Sequence, residues 1–112
     1  MWIGVVGQMV NYGCQNMVDP IRRVLTKHPK DAYQNQHEVN SNSKQLNYIG
    51  IPDYYKSCNQ YDTFVELIQS TGAEIHFLPA NKSTSLDSVY THDPCVVSSD
   101  GVILCTMGKD ER

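Results

Sequence analysis

Apolar positions change their period along this chain, and each change marks an element. Ile21–Lys27, IRRVLTK, has the β-branched, apolar character of a short strand and stops at His28-Pro29. Asp31–Pro52 shows no period: Asn, Gln, Ser and Gly dominate, with scattered Tyr and Leu. This predicts a long polar connection, of a length that inside a domain is functional or disordered. From Asp53 the period becomes 3.6, with Tyr54, Cys58, Tyr61, Phe64, Val65 and Ile68 on one face and Leu67 at its margin. Pro52 and Asp53 open this helix, and Gly72 occupies the place of a left-handed C-cap. A short strand over Glu74–Leu78 ends at Pro79, and NKSTS reads as a loop. Val96-Val97 and Val102–Thr106 then predict two strands around Ser99-Asp100-Gly101, since Asp-Gly between apolar runs is a strong local hairpin signal.

The predicted order is strand, long loop, helix, strand, loop, hairpin, an α+β arrangement without internal repeat or low-complexity segment. A chain of 112 residues holds one domain at most and a modest core. A hydrophobic content of 40% against 19% charged residues lies on the polar side of the globular range. Net charge is -3, and the densest basic stretch is Arg22-Arg23 followed by Lys27, His28 and Lys30. No clustered basic face is expected, so nucleic acid is excluded as a partner. Nothing approaches the apolar length of a membrane span. The apolar lead Met1–Val10 lacks the basic flank and small-residue cleavage site of a signal peptide, and the expectation is a cytoplasmic protein. Cys14, Cys58, Cys95 and Cys105 form no CxxC pair and no zinc-ligand spacing, so no metal is predicted and the four read as ordinary thiols. A Cys95–Cys105 bridge across the hairpin is the alternative in an oxidising setting.

Candidate chemistry concentrates in SLDSVYTHDPCVV, Ser85–Val97, where Asp87 and Asp93 flank an aromatic and a histidine ahead of an apolar run. Taken singly, each Asp is a turn former or cap and His92 a surface residue. Their combination adds a second reading. Asp93-Pro94 cannot continue a central ladder, so the chain must bend where two carboxylates are offered. Two carboxylates converging in a cleft suit a planar cation, because a guanidinium presents a fork of donors that carboxylate accepts.

LPANKSTSLDSVYTHDPCVVSSDGVILCTMGKDER resembles the N-terminal part of the guanidine-modifying enzymes, and YGCQNMVDPIRRVLTKHP and LNYIGIPD extend the likeness upstream. These enzymes include the dimethylarginine dimethylaminohydrolases, arginine deiminases and amidinotransferases, which share the five-bladed pentein α/β-propeller. The resemblance implies a partial propeller, one ββαβ blade plus the start of the next, with 1–112 forming a single incomplete domain. It assigns the guanidinium grip to Asp93, a pocket-lining role to Asp87 and the substrate α-carboxylate to Arg112. His92 stands where some dimethylargininases carry a glutamate, a departure that changes the hydrogen bonding around the pocket. Residues 31–52, around Leu46-Asn47-Tyr48, fall where the family has a lid-like loop.

The implied reaction uses a cysteine nucleophile and a histidine proton carrier, with no metal or organic cofactor. Neither His92 nor any of the four cysteines matches those family positions, so the chain is expected to bind an arginine-like small molecule without turning it over. Within the family reading, amidinotransfer competes with hydrolysis. Two other classes stay open: a self-associating module that binds a cationic ligand, and a purely structural domain in which the Asp pair caps turns. A lone blade leaves apolar flanks uncovered, which makes a homo-oligomer the expected partner state if the short chain is natural.

Overall fold

A computed structural model describes Gly13 and residues 16–108 of the chain. Met1–Val10, Cys14 and Arg112 lie outside the described residues. The first element, β1 (Arg23–Thr26), pairs in parallel with β2 (Glu74–Phe77), in register from Arg23↔Glu74 to Thr26↔Phe77. A parallel pair needs a long crossover. Three helices supply it: α1 (Pro29–Ala32), α2 (Gln36–Asn42) and α3 (Tyr54–Ser70). Arg23 Nε lies 3.5 Å from Glu74 Oε2, so the first register pair is also an ion pair.

α3 follows the expected boundaries closely. Asp53 is its N-cap, its Oδ1 accepting the Lys56 N–H at 2.8 Å, and Gly72 takes φ 85° just past the last turn. The helix packs against α1 and β2, yet none of its residues is fully buried, and Phe64 and Leu67 stand exposed.

The segment expected as a long polar connection is different. It holds α2 and the end of α1, and it carries most of the core. Ala32, Tyr33, Val39, Leu46 and Leu86 form the buried cluster, with Tyr48, Tyr54 and Val89 packed against it. Side-chain caps make helices of such polar sequence possible: His28 Nδ1 accepts the Lys30 N–H at 3.0 Å, and Asn35 Oδ1 accepts the Glu38 N–H at 2.9 Å. Each helix buries so few apolar positions that no period appears in the sequence.

The C-terminal hairpin forms where Asp-Gly predicted it. β3 (Cys95–Ser98) pairs antiparallel with β4 (Gly101–Leu104) around Ser99-Asp100. Cys95 is opposite Leu104, and the Cys105 N–H reaches Pro94 O. Strand alternation therefore turns Cys105 to the face opposite Cys95. Both are free thiols, which sets aside the bridge between them. The described residues thus form a small α+β fold with two two-stranded sheets.

Candidate functional site

The 3₁₀ turn Leu86–Val89 delivers the central side chain. Ser85 Oγ accepts the Asp87 N–H at 3.3 Å, and the Tyr90 N–H closes onto Asp87 O at 3.1 Å. Two side-chain bonds join the surrounding segment to the first strand. Lys27 Nζ donates to Thr84 Oγ1 at 3.2 Å, and Thr91 Oγ1 donates to Leu25 O at 3.4 Å. Lys27 is itself buried, and burial holds its amine below the usual lysine range while Asp31 opposes that shift. Held this way, Asp87 is 1% exposed.

The opposite wall comes from the stretch after α2. Asn47 adopts a left-handed conformation at φ 62°, and the Tyr48 N–H folds back to Ser43 O at 2.9 Å. Between the walls opens a pocket of about 360 Å³, lined by Leu46, Asn47, Tyr48, Ile49, Gly50, Asp87 and Tyr90. A carboxylate beside aromatic rings is a combination that attracts a cation, by charge-assisted hydrogen bonding and by the ring faces.

Two buried phenols near the pocket have raised pKa values. The Tyr48 phenol is held far above the ordinary tyrosine range, first by burial, then by its interaction with the Asp87 carboxyl, then by Tyr33. Tyr33 is raised as well, by burial and then by Tyr90. Both hydroxyls therefore stay protonated donors at neutral pH.

Of the four residues singled out in the sequence, the pocket lining contains Asp87. Asp93 and His92 are exposed in the turn ahead of β3 and do not line this pocket; Arg112 lies outside the described residues. Tyr48 and Tyr90 were not singled out. Both sit inside quoted stretches, LNYIGIPD and SLDSVYTHD, but an aromatic in an aperiodic segment carries no local sign of which way it faces. Among the described residues no group of three or more His, Cys, Asp or Glu is placed to hold a metal ion, and no helix is long and apolar enough to cross a membrane.

Comparison with known proteins gives one relationship to set beside this geometry. The chain is similar to an N(G),N(G)-dimethylarginine dimethylaminohydrolase of Pseudomonas aeruginosa, 29% identical over 65 residues. That match covers 58% of this chain and 25% of the relative, so it spans a quarter of the relative's length. No protein-family model matches the chain, and no solved structure matches it. The likeness is distant.

Proposed function

We propose that this chain is the substrate-binding portion of a hydrolase acting on C–N bonds of arginine-like guanidines, built as part of a pentein-type propeller. The observation that carries the reading is the Asp87 carboxyl, 1% exposed in a pocket it shares with Tyr48 and Tyr90. The distant likeness to a dimethylarginine dimethylaminohydrolase supports the same class. A guanidinium entering this pocket meets a carboxylate that accepts its forked N–H donors while aromatic rings flank its plane. Asp93, which stands outside this pocket, and Arg112 are further ligand contacts that only the family resemblance implies, and a reducing cytoplasm is the setting in this reading. Hydrolysis also needs a nucleophile at the guanidinium carbon and a proton carrier, and the pocket lining holds neither Cys nor His. In this reading the 112-residue chain binds its ligand without turning it over.

Isothermal calorimetry with L-arginine tests this directly. Saturable binding, lost in Asp87→Asn and unaccompanied by citrulline formation, is the expected result. A wild-type chain that takes up no arginine, or an Asp87→Asn chain that binds as well as wild type, sinks the reading.

A second reading, a module that associates with itself, draws on the β3–β4 hairpin. Ile103 is 64% and Leu104 82% exposed there, and Val96 and Val102 are exposed beside them. A two-stranded hairpin is marginal in water without a covering partner.

A further inference from the structure

Gln36, the first residue of α2, commits its whole amide. Its Oε1 accepts the Tyr54 N–H at 2.7 Å, and its Nε2 donates to Pro52 O and to Asn40 Oδ1, each at 2.9 Å. Both amide hydrogens and the carbonyl oxygen face complementary groups, so the partners fix which way the amide points. Pro52 and Tyr54 form the root of the pocket wall, where the chain leaves Gly50 and enters α3. At its near end the wall is held by backbone, with the Asn47 N–H on Lys44 O at 3.1 Å and the Tyr48 N–H on Ser43 O at 2.9 Å. The far end differs. Ile49–Pro52 makes no backbone-to-backbone hydrogen bond with another described residue, Ile49 is fully exposed, and a Cβ on Gly50 would meet open space. Gln36 supplies there what the backbone supplies at the near end. Its anchor is firm, because the Tyr54 ring packs against the buried cluster of Val39 and Leu46.

We propose that Gln36 is the positioning residue of this pocket: it clasps the far root of the Leu46–Gly50 wall and so holds that wall across from Asp87. The assignment rests on reading the pocket as a guanidinium site. It adds that affinity depends on a side chain outside the pocket lining. With the clasp broken, the wall keeps its near attachment to Ser43 and gains other positions at its far end. A ligand then binds the fraction of molecules whose wall is in place, and its apparent affinity falls with that fraction. Methionine at this position keeps the length of the side chain and suits a helix, while removing all three bonds.

Calorimetric titration of the full 112-residue chain with L-arginine reads the effect. Gln36→Met should weaken binding about tenfold, since a neutral hydrogen bond shifts an equilibrium by about fivefold and two of them reach the wall root. Asn35→Ala separates position from stability. It removes the N-cap bond to the Glu38 N–H, so it should lower the urea midpoint and leave affinity unchanged. Wild-type affinity in Gln36→Met, or an equal loss in Asn35→Ala, overturns the positioning role; lost affinity in Asp87→Asn still leaves the guanidinium reading standing. If the wild-type chain binds no arginine, that reading falls, and amide hydrogen exchange decides the clasp without ligand. The Tyr48 N–H, bonded to Ser43 O, should exchange about tenfold faster in Gln36→Met than in wild type. An unchanged rate overturns the proposal. Gln36→Glu, which keeps the acceptor for the Tyr54 N–H and loses the donors, replaces Gln36→Met in both measurements if circular dichroism shows the methionine variant unfolded.

Discussion

His28 commits both ring nitrogens. Nδ1 accepts the Lys30 N–H, and Nε2 meets Asp62 Oδ1 at 3.0 Å, which places the proton on Nε2 in the neutral ring. The ring also packs edge-on against Tyr61 and Phe77, joining the end of β1 to α3 and β2. His28→Ala removes the cap, the bond and the packing together, and should lower the unfolding free energy by about 2 kcal/mol in urea titration. Asp62→Ala should cost under about 1 kcal/mol, because the Asp62 side chain is 65% exposed and the pair is screened by water. The phenols give the residue scale a pH signature. Tyr33 ionises in the folded chain above the ordinary range and Tyr48 far above it, so the folded state holds those protons more tightly than the unfolded one. Their contribution to stability is complete below roughly pH 10, the unfolded tyrosine value, and is lost as pH rises beyond it. Denaturant titrations at increasing pH should show that loss in the wild type and a shallower one in Tyr48→Phe.

At the scale of elements, the parts that the sequence displays are those whose local signals agree. α3 combines a 3.6 period with an Asp N-cap and a left-handed glycine, and the hairpin combines alternating apolar residues with a tight turn. Asp53→Ala removes a bond to the Lys56 N–H and should destabilise the chain by about 1 kcal/mol, read as a lower urea midpoint with unchanged slope. α1 and α2 escaped sequence reading for the opposite reason. Four and seven residues are too few to show a period, and the stabilising interactions are single side chains reaching back to backbone N–H groups. Val39 and Leu46 are buried in the core, while Phe64 of the periodic face of α3 and Leu67 at its margin remain in solvent.

Across the whole molecule, apolar surface is distributed unevenly. The described core lies around α1, α2 and the 3₁₀ turn, whereas the β3–β4 hairpin exposes Val96, Val102, Ile103 and Leu104. Exposed apolar strands with open edges pair readily with other chains. Sedimentation velocity should therefore show association that grows with protein concentration, and Ile103→Lys should shift the population toward monomer. A purely monomeric wild type at all concentrations argues against the self-associating reading and leaves arginine binding unaffected.

The sequence by itself determined what depends on neighbours along the chain. These are the bounds of α3, the strand that starts at Glu74 (expected to Leu78, observed to Phe77), the hairpin turn and the choice of an Asp-rich stretch as the place to look for cation chemistry. Tertiary structure alone decided which of those acidic residues is taken out of water. Asp87 and Asp93 look alike in local sequence, yet the first is carried inward by a capped 3₁₀ turn packed under α1, and the second stands in an exposed turn. It also brought Tyr48 to Asp87 from a segment with no period. Burial and encounter between distant residues are properties of packing, and no local pattern of side chains encodes them.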